Sequence, residues 1–312
     1  RATHVTCQWV IDASGQSGVL AKDASAENWA NRLRTRSHST FAHYRGVADW
    51  TACAKPKQWE RNADPFDADA AAQHHLLDHG WVWMLRFNNG ITSVGYTAKL
   101  DQPLMSLDQI RVAYPSLGEL MKHAIMVAPS GGPVRSGRLQ RWFDPVIDSR
   151  RIMLPTAAVT LDPLHSTGIA HALAGVERLC RIIHCGNETQ RRDLIDQYRR
   201  SLMEETRLLD KLVSTAYETL GDFDRFAIAC MLYFAGAIRC EERYQRGETP
   251  SHLWNADDGD FVDFVDRSCD RLLRKERGFA AAIRQEIEPW NSAGLMNADC
   301  GNRYAYTATK TL

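Results

Sequence analysis

Hydrophobic residues in the C-terminal half of the chain recur with helical spacing. Over 188–220 each apolar position lies three, four or seven residues after an earlier one, at Leu194, Tyr198, Leu202, Leu209, Leu212 and Val213. Apolar residues at this spacing line one side of a helix. The same reasoning predicts helices over 169–185, 225–242 and 261–273. We interpret the charged residues of the long helix, Arg191, Arg192, Arg199, Arg200, Glu204 and Glu205, as a solvated, salt-bridged face.

The segment 37–144 has a different pattern, with short runs rich in β-branched and aromatic residues. The runs 81–87 and 91–97 flank Asn88-Asn89-Gly90, and Asn and Gly tolerate positive φ, so this pattern predicts a β-hairpin. We expect a further strand over 134–143. The stretch 107–128 is predicted to be helical, with a break at Pro115.

A strand, a turn and a helix follow one another from Arg151 onward. Residues 151–154 predict a strand, 162–168 a tight turn of small and polar residues, and the apolar run from Ile169 a helix. Ser166 or Thr167 can cap this helix, and Gly168 permits close approach of a ligand. Such an arrangement presents backbone N–H groups to an anion or a cofactor edge. An ordinary capped helix after a strand is the alternative.

Charge and composition narrow the class of protein. Lys plus Arg equals Asp plus Glu at 38 each, so no net field favours nucleic acid or an anionic membrane. No apolar run approaches the roughly 20 residues that cross a bilayer. Eight cysteines without a C-x-x-C pair predict reduced thiols in a cytoplasmic protein. His74, His75 and His79 lack an H-E-x-x-H pattern, so we interpret 74–79 as a polar loop or surface helix and predict no metal site.

Three motifs carry a resemblance to a known family. The segment 154–173 resembles G-D-A-A-x-x-x-D-P-x-x-S-x-G-I, the second flavin-contacting motif of the FAD-dependent monooxygenase superfamily. Residues 8–15 resemble a strand that ends in D-A-[ST]-G in the same superfamily. Residues 80–85 resemble the W-x-W-x-I-P signature of flavin-dependent halogenases of the tryptophan-halogenase type. The motifs occur in family order and together indicate the halogenase-like branch.

The resemblance implies a role for particular residues. It implies FAD contacts at Asp12, Gly15, Thr156, Asp162, Pro163, Gly168 and Ile169. It implies that the amides of Thr167 and Gly168 hold a chloride or bromide ion. It assigns catalytic positions to His165, Ser166, Trp81 and Trp83, where the two tryptophans separate the flavin from the substrate.

Several positions depart from the family pattern. His165 stands where tryptophan halogenases carry a glutamate, Pro155-Thr156 replaces G-D, and Leu85-Arg86 replaces I-P. Arg86 could pair with an acidic substrate group or lie in solvent. No G-x-G-x-x-G motif, which seats the FAD pyrophosphate, occurs, so we expect the chain to be the C-terminal portion of a longer protein. With these departures, the motifs support membership of the flavin oxidoreductase family more strongly than they support activity as a halogenase.

The predicted fold class is α/β (mixed α+β), a fragment of an FAD/NAD(P)-binding-type fold. We expect a remainder of the FAD-binding domain (1–36), a β-sheet substrate-binding region (37–150), the FAD-binding motif and helix (151–186), and a helical C-terminal region (187–312). A separate reductase would supply reduced FAD.

The predicted function is halogenation or oxygenation of a small organic, aromatic molecule with reduced flavin and dioxygen. The alternatives are a flavin-dependent monooxygenase, an isoprenoid-type reductase, and a non-catalytic truncated remnant of the fold.

Overall fold

The computed structural model describes residues 4–53 and 67–297, and it confirms the predicted mixture of helices and strands. The strands in this part of the chain are β1 (Val10–Asp12), β2 (Ser37–Arg45), β3 (Gln73–Leu77), β4 (Gly80–Arg86), β5 (Ile91–Lys99), β6 (Ile125–Ala128), β7 (Val134–Arg135), β8 (Arg141–Trp142), β9 (Arg151–Met153) and β10 (Val159–Thr160). Strands β2, β4 and β5 have seven to nine residues, and the other strands in this part of the chain have two to five.

The helices become long after residue 167, as the apolar spacing predicts. They are α1 (Val19–Asp23), α2 (Trp50–Cys53), α3 (Leu107–Ala113), α4 (Pro115–Leu120), α5 (Pro155–Ala158), α6 (Gly168–His184), α7 (Glu188–Glu218), α8 (Phe223–Gln245), α9 (Gly259–Arg274) and α10 (Phe279–Glu286). Two short 3-10 turns, Gly15–Ser17 and Pro163–His165, lie at predicted site residues.

The chain divides into two units, each assembled from three segments. The first unit contains Arg1–Thr35, Gln140–Thr215 and Ile228–Ser292, and the second contains Arg36–Leu139, Ala216–Ala227 and Ala293–Leu312.

The first unit places α6 and α7 on a pair of parallel strands. β1 and β9 pair in parallel, with Asp12 opposite Met153 at the carboxyl end of both strands. Ile152 of β9 is fully buried among apolar side chains of α6 and α7, including Leu179, Ile182 and Tyr198. The Tyr198 hydroxyl donates a hydrogen bond to the backbone oxygen of Met153 at 2.6 Å. The ends of these strands are therefore fixed against the helical layer.

The second unit is built on an antiparallel six-stranded sheet in the order β3-β4-β5-β2-β6, with β7 also pairing β2. The predicted hairpin is confirmed: Gly90 has a φ of 76° and joins β4 to β5. One face of the sheet packs on α3 and α4, whose buried residues Ile110, Leu117 and Leu120 contact the cluster around Val94 and Met84. Alternation along each strand leaves the other face to a different set of side chains.

The structure corrects three local predictions. Helix does form over 107–113 and 115–120, but 125–128 is strand β6, because it pairs with the edge of β2. The strand predicted over 134–143 divides into β7, which pairs β2, and β8, which pairs β10. The first part of the His-rich stretch 74–79 belongs to strand β3 (Gln73–Leu77) and is not a loop or helix.

Candidate active site

The turn between β10 and α6 is held by hydrogen bonds among its own residues. Asp162 Oδ1 accepts from the amide of Leu164 at 3.1 Å, and Pro163 begins the 3-10 turn, where its fixed φ is favourable. Ser166 then adopts a φ of 52°. This left-handed conformation costs a residue other than glycine roughly 1 to 2 kcal/mol. Backbone strain of this kind concentrates at functional sites.

The start of α6 offers donors that the described part of the chain leaves unused. None of the described residues accepts a hydrogen bond from the backbone amides of Thr167, Gly168 or Ile169, and the Thr167 side chain makes no capping bond. The first bond of the helix joins the His171 amide to the Thr167 oxygen at 3.0 Å. A Cβ on Gly168 would meet no atom within 4 Å. Because a helix start carries about half a positive charge, this place suits a small anion.

His165 is packed against α8. Its imidazole stacks on the Tyr233 ring with centroids 4.2 Å apart and planes 5° apart. The Tyr233 hydroxyl donates to the backbone oxygen of His165 at 3.2 Å. Tyr233 therefore fixes both the side chain and the main chain of this turn residue.

A buried carboxylate fixes α6 to α7. Glu205 is fully buried, and its carboxylate contacts His171 Nε2 at 2.8 Å, Arg178 Nη2 at 2.6 Å and the amide of Leu253 at 2.7 Å. Burial alone would raise the pKa of this carboxyl, but His171 and Arg178 outweigh it and lower the pKa to about 2. Glu205 is therefore an ionised group inside the first unit.

The prediction that Glu205 belongs to a solvated face was wrong. The signal that could have found it is its place in the apolar stripe: Glu205 lies three residues after Leu202 and four before Leu209, both fully buried. A charged residue at a core position of a helix needs a partner of opposite charge. Arg178 and His171, on a different helix, provide it.

Asp12 and Gly15 shape the loop after β1. Asp12 Oδ1 accepts from the amide of Ser14 and Oδ2 from the amide of Leu20, each at 2.8 Å. Burial would raise the pKa of Asp12, but hydrogen bonds from the side chain of Ser14 and from the amides of Leu20 and Ser14 hold it below its ordinary value. Gly15 has a φ of 57°, and a Cβ added to it would meet no atom within 4 Å, so its role is conformational. Both oxygens of the Asp12 carboxylate are thus engaged by the loop itself.

Thr156 lies in the single turn of α5, next to Gly15–Ser17. Its backbone oxygen accepts from Arg141 Nη2 at 2.8 Å, whereas its hydroxyl has no hydrogen-bond partner among the described residues. Pro155, before it, contacts α6: a Cβ on Gly175 would lie 2.2 Å from Pro155 Cδ. Asp12, Gly15 and Thr156 are therefore brought together at the ends of β1 and β9.

The two signature tryptophans belong to the second unit and have different environments. Trp81 is 1% exposed, and its Nε1 donates to the Tyr217 hydroxyl at 2.9 Å. Trp83 is half-buried, and its Nε1 donates to Ser93 Oγ at 3.3 Å. The Trp83 indole lies over Gly95, where a Cβ would come within 2.0 Å of the ring. Trp81 is thus a packed residue, and Trp83 covers the sheet surface.

Arg86, which stands at the proline position of the signature, is held by its own chain rather than by solvent. Its Nε lies 3.2 Å from Asp69 Oδ1, and its Nη1 donates to the backbone oxygen of Val47 at 3.1 Å. Among residues 4–53 and 67–297, no group of three His, Cys, Asp or Glu side chains is placed to hold a metal ion. None of the helices in these ranges combines the length and apolar character needed to cross a membrane.

Comparison with known proteins decides the family. The family model for tryptophan halogenase matches residues 2–224, more than half of the chain. The chain belongs to the tryptophan halogenase family. The resemblance of the three motifs is therefore confirmed.

The curated relatives of this family member are longer proteins. Monodechloroaminopyrrolnitrin halogenase PrnC of Pseudomonas fluorescens is 25% identical over 255 residues, which cover 75% of this chain and 42% of the relative. Tetracycline 7-halogenase of Kitasatospora aureofaciens is 25% identical over 190 residues, which cover 54% of this chain and 32% of the relative. The matched part thus spans less than half of the length of either relative.

Solved structures of halogenases share the fold. A crystal structure of halogenase PltM in complex with phloroglucinol and FAD has a TM-score of 0.81 at 20% identity, covering 97% of this chain and 68% of that one. The flavin-dependent brominase Bmp2 has a TM-score of 0.58 at 16% identity, covering 88% and 66%. At this level of identity the likeness shows the fold, and it agrees with the predicted FAD-binding-type class.

Proposed function

We propose that this member of the tryptophan halogenase family acts as an FAD-dependent halogenase on a small aromatic molecule. The observation that carries the proposal is the start of α6, where the amides of Thr167 and Gly168 lack acceptors beside a strained Ser166. Bound FAD, once reduced, supplies the activation of dioxygen, and the protein binds, orients and shields the reactants. A separate flavin reductase and a cytoplasmic location are part of the same proposal.

The residues around the turn fit such a cofactor. Thr156 has a hydroxyl that can hydrogen-bond a sugar or ribityl hydroxyl, although it lacks the charge of the family aspartate. The turn Asp162–Ile169 would lie along the flavin ring, with the halide held by the amides of Thr167 and Gly168. Asp12 would contribute to FAD binding indirectly, because it fixes the loop after β1, and Gly15 provides the bend of that loop. Ser166 and His165 border the ring, and the latter is immobilised by Tyr233.

The relatives favour halogenation over the alternatives drawn from the motifs. Each curated relative named above is a halogenase, whereas neither an isoprenoid-type reductase nor an inactive remnant has comparable support. In this proposal Trp81 and Trp83 have a supporting role: they form part of the sheet on which the substrate-binding region is built.

The test is product formation by the natural full-length polypeptide that carries this chain. It is incubated with FAD, a flavin reductase, NADH, dioxygen and bromide, together with a panel of phenols, indoles and pyrroles. Mass spectrometry should show the two-isotope pattern of bromine in a product that depends on both bromide and FAD. Oxygenated or reduced products without bromine would overturn halogenation, and absence of FAD binding by fluorescence titration would overturn the flavoenzyme assignment.

A pair of glycine variants tests the location of the site. Gly168→Ala adds a methyl group where nothing lies within 4 Å, and Gly186→Ala does the same after the other end of α6. Neither glycine has a positive φ, so both variants should fold normally. We expect Gly168→Ala to lower product formation on the order of 10- to 100-fold, because a displacement of about 1 Å can cost this much. Equal activity of the two variants would place the site elsewhere.

A further inference from the structure

The face of the six-stranded sheet opposite α3 and α4 carries aromatic side chains. Cross-strand pairing puts His43 opposite Ser93, and Phe41 and Trp83 on either side of Gly95. Paired residues project to the same face. We call this surface, formed by Phe41, His43, Trp83, Ser93 and Gly95, the aromatic face. Ala42 and Tyr44, which alternate with them along β2, lie in the core on the other side.

His43 is the unsatisfied polar side chain of the aromatic face. It is half-buried, and its ring meets the edges of Phe41 and Phe87 at centroid distances of 6.0 and 6.5 Å. Its Nδ1 is closed to solvent and has no hydrogen-bond partner. Neither ring nitrogen is hydrogen-bonded to any residue of the described ranges. A buried polar atom without a partner costs about 1 to 3 kcal/mol, and this cost bears on which ring nitrogen carries the hydrogen.

The residue directly across from His43 does not supply a partner. Ser93 pairs with His43 on β5 and its hydroxyl accepts from Trp83 Nε1 at 3.3 Å, but it makes no hydrogen bond to Nδ1 of His43. A buried N–H without an acceptor is rarer than a buried lone pair without a donor. The neutral tautomer that fits this environment therefore leaves Nδ1 unprotonated and carries its hydrogen on Nε2. His43 then presents a hydrogen-bond donor beside a surface of aromatic rings.

We propose that His43 is a specificity-determining residue that donates a hydrogen bond from Nε2 to an oxygen substituent of an aromatic substrate. The ring of that substrate lies on Phe41 and Trp83, whose centroids are 6.2 Å apart, and its hydroxyl or carbonyl oxygen accepts from His43. This inference rests on the proposed function and names its substrate class: aromatic rings that carry an oxygen. An aromatic surface next to one directional donor selects for both shape and polarity.

The experiment measures binding without turnover, so its result is independent of the halogenation assay. The probes are 2-naphthol and 2-methylnaphthalene, which have similar shapes and differ in whether the substituent can accept a hydrogen bond. Affinity for the natural full-length protein is measured by fluorescence titration, and the imidazole resonances are followed by NMR with histidine labelled. We expect 2-naphthol to bind more tightly and to shift the His43 resonances more than 2-methylnaphthalene does.

Three variants separate recognition from folding. His43→Phe should weaken 2-naphthol binding about 5-fold, the value of one neutral hydrogen bond, and leave 2-methylnaphthalene binding unchanged. His43→Gln keeps a side-chain donor and should retain most of the preference. Tyr44→Phe, on the opposite face of β2, is the matched control and should retain all of it. Equal losses for both probes, or no loss for 2-naphthol, would overturn the proposal whether or not halogenated product forms.

Discussion

The carboxylate of Glu205 lies 2.8 Å from Nε2 of His171, and this contact joins the middle of α7 to the first turn of α6. Arg178, two turns further along α6, contacts the same carboxylate at 2.6 Å. His171 follows Gly168 by three residues, so the helix start that offers unpaired amides is anchored by a buried charged cluster. The position of the proposed halide site thus depends on a residue of another helix.

Replacement of Glu205 should be strongly destabilising. Glu205→Gln keeps the size of the side chain but leaves Arg178 without its buried counter-charge, which typically costs about 3 to 5 kcal/mol. The measurement is the free energy of unfolding in urea. Glu204→Gln is the matched control, because Glu204 pairs with His252 from a half-exposed position and should contribute less than about 1 kcal/mol. Similar losses of unfolding free energy for both variants would contradict the conclusion that Glu205 is the buried counter-charge of Arg178.

Acid should remove the contribution of Glu205. The pKa of Glu205 is about 2 in the folded protein, against an ordinary value of 4.5 for the unfolded chain. Between these two values the folded protein therefore binds fewer protons than the unfolded chain. The stabilisation by Glu205 is therefore fully present above pH 4.5 and is lost as the pH falls towards 2. We expect the difference in unfolding free energy between wild type and Glu205→Gln to shrink over this range. A difference that is unchanged at pH 3 would show that the carboxylate is not the source of the stability.

The crossing of α6 over Pro155 should tolerate no side chain at position 175. Gly175→Ala would place a Cβ 2.2 Å from Pro155 Cδ, and forcing such contacts typically costs about 1 to 3 kcal/mol. Thermal unfolding should show a lower melting temperature for this variant. Gly168→Ala, in the same helix with open space around it, should unfold at the wild-type temperature or above. Reversal of this order would rule out the close helix crossing.

The position of the Trp83 indole over β5 should depend on the absence of a side chain at Gly95. In Gly95→Ala the new Cβ would come within 2.0 Å of the indole, so the ring must leave its position on β5. We expect a changed near-ultraviolet circular dichroism signal and a shifted tryptophan emission maximum. Gly137→Ala has nothing within 4 Å and should leave both spectra unchanged. Identical spectra for wild type and Gly95→Ala would contradict the placement.

Some features of the molecule follow directly from local patterns. The apolar spacing predicted α6 to α9 to within a few residues, and Asn88-Asn89-Gly90 predicted the hairpin. Trp81 and Trp83 are two residues apart in strand β4, a spacing that puts both on one face of the sheet. The order of Asp162, Ser166 and Gly168 indicated the family, which the match to the family model confirmed. Each of these signals involves residues that are close together in the sequence, so it can be recognised without knowledge of the fold.

Other features depend on residues far apart in the chain. Strand β6 exists because the distant strand β2 offers it an edge, a pairing that outweighs a local helical pattern. Trp81 and Trp83 share a motif, yet only the former meets Tyr217, 136 residues away. The chain order likewise does not reveal which residues pair with Glu205, or that Nδ1 of His43 is left without a partner. Sequence by itself determined the long helices, the hairpin, the turn and the family. The tertiary structure decided which polar groups are buried and paired, because burial and hydrogen bonding depend on neighbours that chain order does not specify.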